Sequence, residues 1–205
     1  MRKKKKHMKI LFLACMGSML LLGGCAKTKE PSVSEKAKEE ALNSENETDA
    51  PEAESVGEFS MQDIEGETYT QEMFSDYDLT MVNVFTTWCT PCVNEIPDLE
   101  KLKNEMADQG VNVVGIVLDA ADGTGSADEE VVEKAKLLAE KTGAKYPFLL
   151  PDQGYLNGRL LGINAVPETF FVDKEGNFTG ETYTGSRSFE EWKDIVETVR
   201  EGAAQ

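Results

Sequence analysis

Two cysteines three residues apart, Cys89 and Cys92, lie in the run Thr87-Trp88-Cys89-Thr90-Pro91-Cys92. Thiols at this spacing can close to a disulfide or open to a dithiol, which is two-electron chemistry. The apolar run Leu79 to Phe85 precedes the pair. Helical spacing through Val93, Ile96, Leu99, Leu102 and Met106 follows it. The pair therefore falls where a strand hands over to a helix. Unpaired main-chain N–H groups and the helix dipole there stabilise a thiolate on Cys89. Pro91 supplies first-turn φ without removing a needed donor. Cys92 shares the helical face of Cys89 and lies within disulfide reach. The expected roles are an exposed attacking thiol at Cys89 and a resolving thiol at Cys92. The alternatives for a lone CxxC are half of a zinc site and a structural staple.

The remaining inventory narrows this choice. The chain has 205 residues, four Cys, one His, and 38 acidic against 21 basic residues, a formal charge of −17. With one His, a Ser-His-Asp triad and a multi-His zinc site are nearly excluded. The acidic balance disfavours nucleic acid, whose phosphates need clustered Lys and Arg. Residues 1–24 carry six of the basic residues and no acidic one, with an apolar stretch from Ile10 to Leu22. Basic start, short apolar stretch and Gly23-Gly24 predict a secretory signal peptide, too short to span a bilayer comfortably. Leu22-Gly23-Gly24-Cys25 resembles a bacterial lipobox, in which Cys25 is lipidated. The alternative is an uncleaved anchor helix, and both place the rest outside the cytoplasmic membrane. Cleavage removes His7 and Cys15 and leaves 15 basic against 38 acidic residues, a charge near −23. Only Cys89 and Cys92 then remain as thiols. Zinc needs about four ligands, so the redox role is expected and no metal or cofactor is.

Residues 25–55, from Cys25 through a Glu-, Lys-, Ser- and Ala-rich stretch without aromatics, read as a solvated tether. Residues 56–205 read as one α/β domain. Its expected elements are a hairpin around Glu65-Gly66, a helical turn over Gln71–Phe74 and a strand over Leu79–Phe85. A helix over Pro91–Met106 and a strand over Val111–Leu118 follow. An inserted helix (Asp128–Lys141) and strand (Tyr146–Leu150) come next, then a short helix over Tyr155–Leu161. Strands at Glu168–Val172 and Phe178–Tyr183 and a terminal helix over Phe189–Arg200 close the domain. These elements predict a central mixed sheet covered on both faces.

The stretch VNVFTTWCTPCVNEIPDLEKL resembles the thioredoxin superfamily, in particular its membrane-tethered TlpA/ResA-like thiol-disulfide oxidoreductases. The resemblance covers roughly Val56 to Arg200. It implies a thioredoxin-like three-layer α/β/α sandwich with an N-terminal β-hairpin and a central αβ insertion. Ala165-Val166-Pro167-Glu168-Thr169-Phe170 is similar to the family's cis-proline loop, close to the form in cytochrome c maturation thioredoxins. The resemblance implies that Pro167 packs against the redox-active disulfide and that Val166 can pair with a substrate strand. Trp88, Thr90 and Pro91 would support the site, and Glu168 would contact a substrate or partner. Glu95 matches the acidic residue these lipoproteins carry three residues after the second Cys, from which a carboxylate can take the Cys92 proton. Asn83 replaces the buried Asp of ordinary thioredoxins, which shifts that duty toward Glu95. Thr86 stands where many members have an aromatic residue.

The resemblance further implies a reductase, fed by a membrane electron donor of the CcdA/DsbD type and acting as a monomer on disulfide-containing exported proteins. Apocytochrome c, an oxidised methionine sulfoxide reductase and mispaired extracellular proteins are the expected clients. Two other classes compete. A peroxiredoxin-like antioxidant peroxidase carries PxxxTxxC, of which Thr86 and Cys89 match while Val82 occupies the proline position. A non-catalytic metal chaperone or binding lipoprotein is the other, but copper chaperones of this fold use CxxxC with a distant His, whereas this chain has CxxC and no His after cleavage.

Overall fold

The computed structural model describes residues 54–121, 123 and 126–203. The expected signal peptide, Cys25 and nearly all of the expected tether lie outside the described residues.

Strands β1 (Ser60–Gln62) and β2 (Thr68–Thr70) pair as an antiparallel hairpin. Asp63 Oδ1 accepts from the main-chain N–H groups of Glu65 and Glu67, both at 2.9 Å, and so shapes the turn. A 3-10 turn over Gln71–Phe74 follows, capped by Thr70. The main sheet contains β3 (Leu79–Phe85), β4 (Val111–Val117), β5 (Phe148–Leu149), β6 (Glu168–Asp173) and β7 (Phe178–Thr184). Its order is β5-β4-β3-β6-β7, with β3, β4 and β5 parallel and β6 and β7 antiparallel to their neighbours. The hairpin extends the β5 edge: Leu150 N–H donates to the Gln62 carbonyl at 2.8 Å and Ile64 N–H to that of Phe148 at 3.0 Å. Covering the β5 edge in this way removes donors and acceptors that could otherwise pair with another chain.

Both β3 and β4 are buried along their whole length, which is why their sequences are nearly continuous apolar runs rather than alternating ones. Helices α1 (Thr90–Met106), α2 (Glu129–Thr142) and α3 (Phe189–Ala203) cover one face. Ile96 and Leu99 of α1, Ala135 of α2, and Trp192 and Val196 of α3 share a core with Met81, Phe85 and Phe148. On the other face Val82, Val84, Val114 and Phe170 pack with Phe59, Met61 and Phe74. The pair α2–β5 is the central insertion between β4 and β6.

One expected helix is corrected. Over Tyr155–Leu161 the backbone turns left-handed, with φ of +47°, +53° and +55° at Tyr155, Leu156 and Asn157 and +83° at Gly158. The turn buries Leu156 and Leu160 against the second face of the sheet. It also lets Asn157 Nδ2 donate to the Ser55 carbonyl at 3.1 Å. Burial of two leucines is worth about 3–6 kcal/mol and offsets a left-handed cost of about 1–2 kcal/mol per residue. Local spacing carries no information about that exchange.

Gly115 in β4 is required by a close approach. A Cβ there would stand 2.9 Å from Phe148 Cδ1 and 3.2 Å from Phe85 Cε1. These rings form an edge-to-face pair with centroids 4.9 Å apart. Gly115→Ala is expected to destabilise the domain by about 1–3 kcal/mol, read from the urea midpoint at unchanged slope. A midpoint equal to that of the unsubstituted protein would show that the aromatic pair yields freely.

Candidate active site

Strand β3 ends at Phe85, and a four-residue loop leads to α1. Asp119, just beyond β4, holds that loop: its carboxylate accepts from Thr87 N–H at 3.0 and 3.1 Å and from Thr87 Oγ1 at 2.7 Å. Cys89 is the N-cap of α1, with Pro91 in the first turn. Cys89 and Cys92 form a disulfide with Cα atoms 5.3 Å apart. The Cys89 sulfur accepts from Cys92 N–H at 3.3 Å, so an N-terminal helix donor already points at the atom that bears charge after reduction. Cys89 keeps 6% of its surface and Cys92 none. Cys89 is thus more covered than the sequence suggests, yet it is the reachable sulfur of the two.

The Val166–Pro167 peptide is cis. It brings the Val166 carbonyl oxygen to 3.7 Å from Cys89 Sγ, across 77 residues of chain. Between the two segments lies a groove of about 440 Å³, lined among others by Trp88, Pro91, Leu118, Ile163 and Val166. None of its lining residues is charged, although the chain carries −17 overall. Trp88 stands 74% exposed at its side. Such a groove suits an apolar segment of another chain beside the reacting sulfur. Thr90 lines it as well.

Glu95 lies three residues after Cys92 on the same face of α1 and is 2% exposed. Its Oε1 accepts from Asn83 Nδ2 at 2.9 Å. Its Oε2 accepts from Arg187 N–H at 3.0 Å and from Trp192 Nε1 at 3.3 Å. Burial pushes the Glu95 carboxyl above the ordinary carboxylate range, while these hydrogen bonds and the Arg187 charge pull it down. A buried carboxylate with a raised proton affinity one helical turn from Cys92 is suited to proton exchange with that thiol once the disulfide is reduced. Asn83 Nδ2 also donates to Thr169 Oγ1 at 3.0 Å, and its Oδ1 has no partner among the described residues. An amide at this place can meet either protonation state of Glu95, donating to the carboxylate or, once rotated, accepting from the acid.

Glu168 is engaged elsewhere. Its Oε1 accepts from Arg159 Nη1 at 2.9 Å, in a pair exposed by only 20% and 15%. Arg159 also donates to Thr182 Oγ1 at 3.1 Å and lies 4.3 Å from the Phe170 ring centroid. The pair ties the left-handed turn to the strand that leaves Pro167. Sequence reasoning missed Asp119, Arg159, Arg187 and Trp192. Helical spacing from Phe189 through Trp192 to Val196 is the one signal that could have placed Trp192 in the core, and no local spacing ties any of the four to the cysteines.

A mixed sheet whose central strand delivers a CxxC to a helix N-terminus, facing a cis-proline loop, defines the thioredoxin-like class. The sequence pattern of the AhpC/TSA family matches residues 53–179, and the chain belongs to that family. It is similar to the thiol:disulfide interchange protein DsbE of Haemophilus influenzae, 33% identical over 113 residues, which are 55% of this chain and 55% of that protein. The chain thus spans little more than half the length of that relative. It is also similar to the thiol-disulfide oxidoreductase ResA of Geobacillus thermodenitrificans, 26% identical over 145 residues, 70% of this chain and 75% of the relative. Among solved structures, a thiol:disulfide interchange protein of the thioredoxin family from Chlorobium tepidum superposes with a TM-score of 0.54 at 27% identity. That match covers 70% of this chain and 93% of the other.

Proposed function

We propose that the protein is a thiol-disulfide oxidoreductase that reduces disulfides of exported proteins outside the cytoplasmic membrane. The observation that carries this reading is the Cys89–Cys92 disulfide at the start of α1, with Cys89 beside the Val166 carbonyl and Cys92 buried on the face that holds Glu95. The names of the two relatives support it. In the reduced form, the Cys89 thiolate attacks a client disulfide. One client sulfur leaves as a thiolate and takes up a proton, and a Cys89–client mixed disulfide remains. Cys92 gives its proton to Glu95 and attacks Cys89 Sγ. The Cys89–Cys92 bond forms, the Cys89–client bond breaks, and the second client sulfur leaves as a thiolate. Two electrons have then passed from the dithiol to the client, and an external dithiol must restore them.

Trp88, Thr90 and Pro91 border the attacking sulfur, Val166 and Pro167 present the edge a client strand pairs with, and Glu168 serves that loop through Arg159. A domain at residues 56–205, carried on a tether from a lipidated Cys25 after removal of residues 1–24, would stay near the membrane. There a donor of the CcdA/DsbD type can reach it. Among the described residues no helix is long and apolar enough to cross a membrane. Apocytochrome c and mispaired extracellular proteins are the client classes, met by a monomer.

Reduced protein mixed with one equivalent of a disulfide-bonded protein such as insulin is expected to lose two thiols and release two client thiols. Oxidation by hydrogen peroxide is expected to be much slower. Rapid peroxide oxidation without transfer to a protein disulfide would overturn the reading in favour of a thiol peroxidase.

A further inference from the structure

The turn between β7 and α3 touches both halves of the site, and its role deepens the dithiol mechanism on which it rests. Gly185 N–H donates to the Pro167 carbonyl oxygen at 2.9 Å. Two residues later, Arg187 N–H donates to Glu95 Oε2 at 3.0 Å. The Arg187 guanidinium lies 4.9 Å from the Trp192 ring centroid and 5.0 Å from that of Tyr183. Its Nη1 donates to the Gly185 carbonyl at 2.8 Å. Trp192 donates its indole N–H to the same Glu95 oxygen that Arg187 holds. A guanidinium stacked on two rings and bonded to its own turn is fixed in place rather than free in solvent.

The other groups that face Glu95 are uncharged at neutral pH. They are Asn83 of β3, with Thr169 of β6 behind it, and Trp192 of α3, while Cys92 lies one helical turn earlier on α1. Tyr146, ahead of β5, feels the Glu95 charge, but burial keeps its phenol protonated well beyond the usual range. Glu100 of α1 is turned away to the Lys145 N–H, at 2.7 Å.

We propose that Arg187 is a positioning residue for the thiol chemistry. Its main-chain N–H orients the Glu95 carboxylate, and its stacked guanidinium supplies the positive charge that keeps that carboxylate able to take the Cys92 proton. Arg187 touches neither sulfur and acts through Glu95. In the resolving step the proton passes from Cys92 Sγ to Glu95 while the Cys89–Cys92 bond replaces the Cys89–client bond. Removing the cation leaves the main-chain donor in place and makes Glu95 hold its own proton to higher pH, so resolution needs a higher pH.

The test is a pH profile of mixed-disulfide resolution. Reduced full chain is mixed with a disulfide-linked peptide, and Trp fluorescence is followed by stopped flow for the unsubstituted protein, R187Q, R187K, E95Q and the E95Q/R187Q pair. R187Q is expected to move the midpoint upward by about half a pH unit or more, the effect of one nearby charge at intermediate dielectric. R187K is expected to restore most of that shift, and R187Q is expected to add no shift in the E95Q background. A carbon-13 carboxyl titration of Glu95 in oxidised R187Q, read by NMR, should move the same way. Uniform slowing with an unmoved midpoint, or an equal shift with Glu95 replaced, overturns the proposal. Absence of any transfer from the unsubstituted protein overturns instead the oxidoreductase reading beneath it.

Discussion

Replacing Cys92 by Ala is expected to stall the reaction at its first covalent product. Cys89 keeps its helix N-terminal donor and its place beside the Val166 carbonyl, so it still attacks a client disulfide. The second thiol, held with its Cα 5.3 Å from that of Cys89, is gone. An intramolecular thiol acts at a high effective concentration, whereas release must now wait for an external thiol near millimolar levels. Release should therefore slow by about 10³-fold or more. Non-reducing gels and intact-mass measurement should show a Cys89-linked client that persists for the length of the experiment. Cys89→Ala should trap nothing and lose transfer altogether, because Cys92 has no exposed surface from which to attack. Equal trapping by the two variants would reverse the assignment of attacking and resolving sulfur.

Glu95→Gln should separate catalysis from stability. The amide cannot take the Cys92 proton, so resolution at neutral pH should slow by roughly 10²-fold, the usual contribution of a positioned general base. Folding should not suffer. The amide oxygen can keep the donors from Arg187 and Trp192, and Asn83 can rotate to present its unpartnered Oδ1 to the amide N–H. Burial also raises the proton affinity of Glu95 in the folded state above that in the unfolded chain. The native state then binds more protons than the unfolded state between those two values, and stability declines as pH rises through that window. The substituted protein lacks this decline. Urea melts across the window should show it equal to or more stable than the unsubstituted protein at pH 7, with the difference vanishing in acid. A variant that lost stability at pH 7 in step with activity would make Glu95 a structural residue only.

The chemistry was legible early because it is local. A CxxC needs its cysteines three residues apart on one helical face, and the apolar run before it and the helical spacing after it place it at a strand end. The same holds for β3 and β4, whose nearly continuous apolar runs mark strands buried on both faces. It fails for Tyr155–Leu161, where helical spacing is present but two leucines and Asn157 find their partners by turning left-handed. It falls short at Glu168 too, since only the fold sets Arg159 against it.

By itself, the order of residues determined that this protein carries a closely spaced cysteine pair at the mouth of a helix, in an α/β domain with Glu95 on the same helical face. It did so because strand, helix and thiol spacing are set by neighbours a few positions away. Only the tertiary structure decided what that face meets. Arg187 and Trp192, which close over Glu95, stand 92 and 97 residues from it, and Val166 stands 77 residues from Cys89. Burial raises the proton affinity of Glu95. Burial is a property of packed layers and cannot be seen in any short stretch of chain.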